Sequence, residues 1–456
     1  MGKHIHILGI CGTFMGGVAR LARQLGHTVT GVDQNVYPPM SDCLRDWGIS
    51  ILQGYSTEHL NPQPDLVIVG NAISRGNPEL EEVMNQQIPY ISGPQWVAEQ
   101  ALKDRHVLAV SGTHGKTTIS SILAWLLTDA GLNPGYLIGG AANNFEYTAD
   151  LGMGDYFVIE ADEYDSAFHD KRPKFMHYHP STLIINNIEF DHGDIYDDLE
   201  AIKKQFHFVI RTVPNSGLVI NPDSDVNVQD VLKRGLWSSH QTVGDNDWSG
   251  KILSNDGREF EVWRAGENMG KASWQMLGQF NVDNAIAAIA AAHHVGVPVQ
   301  QSLDALSRFK GIRRRMEYKG EVNNITIYDD FAHHPTAISK ALQALRDQVG
   351  QQRIFAVVQL GSNTMSQGMH DTNFMAEAFK AADQVVILRP AGDGWDLKGF
   401  INAVASPVHV YNTVDDIMTY LDVELQASDK VLIMSNKGFD NLPQRLVDQL
   451  QRQRAV

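Results

Sequence analysis

The sequence predicts an α/β protein built of three units, and three observations predict it. Short apolar runs alternate with amphipathic stretches from residue 1 to about 105, and the alternation returns from about 313 to the end. Between these regions, the apolar run His106 to Val110 leads into a turn that holds Gly112 and Gly115. Ile119, Ile122, Leu123, Leu126 and Leu127 then recur at helical spacing. Alternating strand and helix implies parallel sheets with helices on their faces. Units of 1–105, 106–312 and 313–456 fit a chain of 456 residues.

In the first unit, HIHILGI, TVTGVD, DLVIVGN and IPYISG read as buried strands, with amphipathic stretches near 15–25, 40–47 and 77–87 between them. This is the pattern of a doubly wound, Rossmann-like sheet. The second unit has strands at YFVIEAD and TLIINNIEF, a helix near 197–211, an antiparallel stretch over 250–275 and a helix near 282–295. In the third, ITIYDD, RIFAVVQL, QVVILRP and KVLIMSN are strands separated by helices, a second Rossmann-like unit. Clefts between such units are where small ligands bind.

Composition narrows the function. There is no run of 18 apolar residues, so no membrane span is expected. The N-terminus, MGKHIHILGICG, reads as the start of a fold and not as a signal peptide. Two cysteines, Cys11 and Cys43, make no disulfide framework and fit a reducing cytosol. Acidic residues outnumber basic ones by 53 to 37, a net charge of −16, which argues against nucleic acid or an anionic membrane as the main partner.

Strand, glycine-rich turn and helix form a cradle for phosphate. Here the turn is Gly112, Thr113, His114, Gly115, Lys116, Thr117 and Thr118. Lys116 is placed for terminal phosphates and the Thr117 hydroxyl for a magnesium ion, so ATP is the expected ligand and the unit is P-loop ATPase-like. Val110 stands where the common form of the motif has its first glycine. The alternative is a turn that uses glycine only for its backbone freedom.

Six further clusters carry polar chemistry. Gly9, Gly12 and Thr13 follow the first strand and Asp33 ends the second. They form either a diphosphate site for a nucleotide-linked ligand or a tight strand–helix contact. Glu160, Asp162, Glu163 and Asp165 crowd a strand end, which is costly without a cation. Glu160 is positioned to share the magnesium, while the other three are either site residues or loop charges. His192 ends the next apolar strand, either as a second metal ligand oriented by Asp191 or Glu189, or as a structural histidine. Asn281 and Asn284 share one face at a helix start, where they either read an adenine edge or cap the helix. Arg313, Arg314 and Arg315 form either an arm that reaches phosphate across a cleft or a solvated turn. In the stretch Tyr328 to Thr336, Asp330 is placed for a ribose, and His333 and His334 for the reacting centre, one of them as a structural residue.

GTHGKTT, EADEYD, the asparagine-to-histidine strand end, NxxN, FxGxxxR and DDFAHHPT occur in this order. As a set, over the whole chain, they resemble the Mur ligases, ATP-dependent amide-forming enzymes of peptidoglycan synthesis. The resemblance implies a UDP-sugar-binding domain at 1–105, an ATP-binding domain at 106–312 and an amino-substrate domain at 313–456, in the cytoplasm. It implies Lys116 and Thr117 at ATP, Glu160 and His192 on magnesium, Asn281 and Asn284 at adenine, and Arg315 and Asp330 reaching ATP from the third domain. Gly12 and its loop go to the UDP-sugar diphosphate. Asn71, His333, His334, Ser362 and Asn363 go to substrate, and Lys116, His192 and Arg315 to catalysis. HIHILGICGTFMGG, VYPPMS, ISGPQW, DKRPKF and SNTM resemble one branch in particular. That branch joins UDP-N-acetylmuramate to the murein tripeptide L-alanyl-γ-D-glutamyl-meso-diaminopimelate, through an acyl phosphate, in recycling. The L-alanine-adding branch is the alternative, and an inactive sensor of UDP-sugar or ATP is a third reading.

The sequence also departs from the family. Phe206 and His207 stand where many relatives carry a carbamylated lysine, with Lys203 and Lys204 out of phase, so no carbamate is expected. Gly361 replaces an arginine before SNTM, and Lys437 interrupts a glycine-rich stretch. Both changes bear on acceptor recognition.

Overall fold

The computed structural model describes residues 2–36, 40–140, 142–360, 371–390 and 396–454. Gly361, Ser362 and Asn363 lie outside the described residues. Each of the three stretches carries its own sheet.

The first sheet is wholly parallel. Across it run Ser50–Gln53, Thr28–Asp33, His4–Leu8, Leu66–Val69 and Tyr90–Ser92. Strand order reverses between His4–Leu8 and Leu66–Val69, and loops leaving such a pair diverge to open a crevice. Helix Thr13–Gln24 buries Met15, Val18, Ala19, Leu21 and Ala22 on the sheet. A Cβ on Gly16 would stand 2.3 Å from Met40 Sδ, and one on Gly17 2.3 Å from Leu137 Cδ1. Tight packing therefore accounts for Gly16 and Gly17. Gly9 and Gly12 have a different setting, described below.

The middle sheet has ten strands. Its centre is parallel: Ser239–Val243, Leu218–Pro222, Thr182–Ile185, His106–Ser111, Tyr156–Glu160 and Gly135–Leu137. Trp248–Ile252, Glu259–Arg264 and Glu267–Ser273 continue it as an antiparallel meander, as the sequence predicts. Helices Lys116–Asp129 and Gln279–His294 pack together in one core cluster. The second of these is buried on nearly every face, which suits its run of alanines.

The third sheet runs Glu317–Val322, Ile325–Asp330, Lys430–Ser435, Ile354–Gln359, Gln384–Leu388 and Val408–Tyr411, parallel except for the first pair. The expected central strands are all present. Ser50–Gln53, Glu317–Val322 and Val408–Tyr411 were not expected, nor were Gly135–Leu137, Leu218–Pro222 and Ser239–Val243 of the middle sheet. The first three are edge strands, partly exposed along their length, so apolar runs do not mark them. Cys11 and Cys43 are free thiols. Among the described residues, no helix is long and apolar enough to cross a membrane.

Candidate active site

The phosphate turn sits where three parallel strands end together. His106–Ser111 lies between Thr182–Ile185 and Tyr156–Glu160, in a register that pairs Val110 with Ile184 on one side and Glu160 on the other. Gly112 turns the chain at φ +129° and Gly115 at φ +85°. A Cβ on Gly112 would stand 3.0 Å from the Asn187 backbone, and one on Gly115 2.5 Å from Asn186 Nδ2. Glycine is required at both, by conformation and by room. Gly115 takes the cap position of helix Lys116–Asp129 without a side-chain bond. The first N–H groups of such a helix suit an anion.

Two asparagines fasten this turn. His114 N–H donates to Asn187 Oδ1 at 2.7 Å, and Thr113 N–H to the Asn187 carbonyl at 3.1 Å. The Asn186 and Asn187 side chains both donate to the His114 carbonyl, at 2.9 and 3.1 Å. Asn186 also donates to Asn284 Oδ1 at 3.3 Å, Asn284 to Asn281 Oδ1 at 3.4 Å, and Asn281 to the Leu277 carbonyl at 2.8 Å. Asn281 and Asn284 do share a buried face, and Gly278, not either asparagine, caps their helix. Sequence reasoning missed Asn186 and Asn187 as fasteners. Their signal was two amides ending an apolar strand.

Lys116 Nζ donates to the Gly112 carbonyl at 2.7 Å and to Glu163 Oε2 at 2.9 Å, with Asp162 Oδ1 at 3.4 Å. Burial alone would lower its pKa, but the carboxylates of Glu163 and Asp162 outweigh burial and raise it. Asp162 and Glu163 therefore belong to the site, whereas Asp165 turns to Lys171 at 2.6 Å. Thr117 Oγ1 donates to Glu160 Oε1 at 3.1 Å, and Gly139 N–H to Glu160 Oε2 at 2.7 Å. Burial raises the Glu160 pKa even though Lys116 opposes it. A half-buried carboxylate beside a hydroxyl is a donor set that suits a hard cation.

His192 is set apart from Glu160. Its Nε2 lies 3.4 Å from Glu163 Oε1, and ligand atoms of Asp162, Glu163 and His192 fall within 4.8 Å of one another. Burial acts to lower its pKa, but Glu163 and Asp191 reverse this and lift it to about 9. Asp191 accepts from the His192 backbone N–H at 2.8 Å. Glu189 faces the third unit, accepting from Thr336 Oγ1 at 2.7 Å and lying 3.4 Å from His114 Nε2.

Of the three arginines, Arg315 crosses the cleft. Its Nη2 lies 3.4 Å from Thr117 Oγ1, with the guanidinium 5.0 Å from the Phe331 ring centroid. Arg314 instead donates to the carbonyls of Ser435 and Lys437. Buried Asp330 accepts from the backbone N–H groups of Met316 at 2.6 Å and Ala332 at 2.7 Å, and so pins the turn from which Arg315 extends. His333 Nδ1 lies 3.0 Å from the Phe331 carbonyl, and burial pushes its pKa down to about 4. His334 is the N-cap of helix Pro335–Val349, accepting from Thr336 N–H at 3.3 Å, and its ring lies 4.5 Å from that of His114.

A cavity of about 360 Å³ opens at the crevice of the first sheet. Gly9, Gly12, Thr13, Asp33 and Asn71 all line it. Asp33 accepts from the backbone of Cys11 at 3.0 Å and Asn35 at 3.1 Å, which holds the rim. The middle unit contributes Ser166 and Lys174 to the opposite wall, two residues that sequence reasoning did not single out.

Residues 4–105 match the family description "Mur ligase family, catalytic domain", 110–292 "Mur ligase middle domain" and 314–437 "Mur ligase, glutamate ligase domain". The chain belongs to the Mur ligase family. It is 51% identical over 448 residues, 98% of each chain, to the UDP-N-acetylmuramate–L-alanyl-gamma-D-glutamyl-meso-2,6-diaminoheptandioate ligase of Escherichia coli K12. It matches the crystal structure of a murein peptide ligase from Psychrobacter arcticus with a TM-score of 0.77 at 44% identity, covering 98% of this chain and 99% of that one. It is 30% identical over 461 residues, 98% of each chain, to the UDP-N-acetylmuramate–L-alanine ligase of Desulforapulum autotrophicum.

In this Mur ligase, Lys203 lies 3.0 Å from Glu200 and 3.2 Å from Asp230. Hydrogen bonds and charge from those carboxylates raise its pKa. Phe206 is buried against Phe175, with ring centroids 5.3 Å apart. Lys437 is exposed, and its carbonyl accepts from Arg314 at 2.7 Å.

Proposed function

We propose that this Mur ligase joins UDP-N-acetylmuramate to L-alanyl-γ-D-glutamyl-meso-diaminopimelate at the expense of ATP, in the recycling of peptidoglycan in the cytoplasm. The observation that carries this reading is 51% identity, over 98% of both chains, to a ligase of that name. The site supports it, because the anion-binding turn and the first-unit cavity lie on either side of one acidic cluster.

The UDP-sugar occupies the cavity, with its diphosphate at Gly12 and Thr13, and Asp33 and Asn71 beside it. ATP occupies the turn from Gly112 to Thr118, its adenine toward Asn281 and Asn284. The lactyl carboxylate attacks the γ-phosphorus, the bond to the β-bridging oxygen breaks, and ADP and an acyl phosphate result. The free amine of the tripeptide, held by the third unit, then attacks the acyl carbon and loses a proton. The tetrahedral intermediate collapses to amide and phosphate.

The first step brings two anions together, so the chain must supply positive charge at short range. Lys116 supplies it on the phosphate side. Without ligand its ammonium is held by Glu163 and Asp162, and a γ-phosphate takes up the same ammonium. Arg315 adds a second charge from the third unit, beside Thr117. Closing that cleft also keeps water from the acyl phosphate. Thr117 and Glu160 offer oxygen ligands for magnesium, and His192 with Glu163 and Asp162 offers a second set. Magnesium there would neutralise phosphate charge as it develops.

The test is an acceptor panel with UDP-N-acetylmuramate and ATP, following amide product and ADP. Amide formed faster with the tripeptide than with L-alanine is expected. Preference for L-alanine would assign the chain to the alanine-adding branch. No amide with any amine would leave a binding protein.

A further inference from the structure

The middle unit sends the hairpin Asp165–Ala167 and Asp170–Pro173 toward the first-unit cavity, and Ser166 and Lys174 form part of its wall. Lys174 opens the short turn Lys174–His177. Its Nζ donates to Asp162 Oδ2 at 2.9 Å. The same ammonium lies 5.6 Å from the ring centroid of Phe14, in the first unit, and 5.7 Å from that of Tyr164, in the middle unit. The Lys174 side chain is only 14% exposed. The other oxygen of Asp162 lies 3.4 Å from Lys116 Nζ. One carboxylate thus stands between two ammonium groups, one on the wall of the cavity and one in the phosphate turn.

The geometry points to Lys174 as the group that receives the carboxylate of the donor sugar and holds it toward the γ-phosphate. This rests on the proposed donor. An ammonium has three N–H donors. One is committed to Asp162, and the others remain for an incoming carboxylate. The Phe14 and Tyr164 rings favour the cation and limit its contact with water, which strengthens its pull on an anion. Asp162 serves as the shared anchor. Through Asp162, the ammonium on the cavity wall stands next to the one in the phosphate turn before either anion arrives. A Lys174 that only balanced buried charge would not distinguish a donor with a carboxylate from one without.

UDP-N-acetylglucosamine lacks the lactyl ether of UDP-N-acetylmuramate and is otherwise the same ligand. Calorimetric titration of both into the full chain, as wild type, Lys174→Met and Lys174→Arg, tests the assignment. The expected result is that Lys174→Met weakens UDP-N-acetylmuramate roughly 10- to 100-fold, the scale of a lost charged hydrogen bond, and leaves UDP-N-acetylglucosamine unchanged. Lys174→Arg should recover part of the difference. In turnover, the KM for UDP-N-acetylmuramate should rise in Lys174→Met while the KM for ATP holds. Equal weakening of both sugars, or none, would overturn the role, and UDP-N-acetylglucosamine binding together with the unfolding midpoint reports whether Lys174→Met is folded. A wild type that makes amide but shows no such discrimination refutes this inference alone. A wild type that ignores UDP-N-acetylmuramate refutes the proposed function as well.

Discussion

Lys116 Nζ and Glu163 Oε2 lie 2.9 Å apart, so the lysine of the phosphate turn is already paired with a buried carboxylate before any nucleotide arrives. The pairing keeps the lysine charged, and under the proposed function it makes nucleotide binding an exchange of one anion for another.

Lys116→Ala should therefore lower turnover at saturating ATP by roughly 100-fold or more, the scale for removing one preorganised charge. Steady-state kinetics checks this. Turnover close to wild type would remove the turn from the chemistry.

Gly115 and Gly26 share a φ of +85°, but their surroundings differ. A Cβ on Gly115 meets Asn186 Nδ2 at 2.5 Å and Asn284 Oδ1 at 2.9 Å, whereas nothing lies within 4 Å of one on Gly26. Gly26→Ala should cost about 1–2 kcal/mol, the backbone term alone. Gly115→Ala should cost at least about 1 kcal/mol more through overpacking, and should also lose ATP binding. Denaturant melts of both variants make the comparison, and equal costs would contradict it.

Asn187 bonds to His114 at both its N–H and its carbonyl. Asn187→Ala should cost about 1–3 kcal/mol by leaving those groups unpaired. The KM for ATP should rise while that for the UDP-sugar stays level, because the bonds touch only the phosphate turn. A rise in both would mean a wider disturbance.

Burial holds the His333 imidazole at about 4, against about 6.5 in an unfolded chain. A base with a lowered folded pKa favours the folded state fully above the unfolded value. Its contribution is lost as pH falls from about 6.5 toward 4, because the unfolded chain takes the proton first. Asp329, pushed up to about 6 by burial, works in the opposite direction over part of that window. Glu189 and Asp191 resist burial through nearby histidines and sit at about 2, so their contributions fade only at lower pH. Comparing His333→Gln with wild type cancels Asp329 and Glu189, and Asp191, which His333 helps to lower, titrates below this window. Between pH 6.5 and 4, the wild type should lose more of its unfolding free energy than the variant. Parallel curves would show that His333 does not titrate as described.

The strand, glycine turn and helix around Lys116 were legible because their physics is local. An apolar strand, two glycines at positive φ and a helix opening at Lys116 all lie within a short stretch of chain. The same holds for the Gly9–Thr13 turn, where strand, turn and helix are consecutive. Edge strands such as Ser50–Gln53 were not legible, since a half-exposed strand has no strong apolar pattern.

By itself, the chain's order of residues determined the three α/β units, the glycine turn ahead of Lys116 and the residue types around it, because helix periodicity, apolar runs and glycine placement act between near neighbours. Only the tertiary structure decided what Lys116 is paired with, that Asn186 and Asn187 fasten the turn, and that Lys174 reaches the cavity of another unit. Those contacts depend on His106–Ser111 pairing with Tyr156–Glu160 and Thr182–Ile185. Sheet order and register bring distant strand ends together, and no local pattern in the chain encodes which ends will meet.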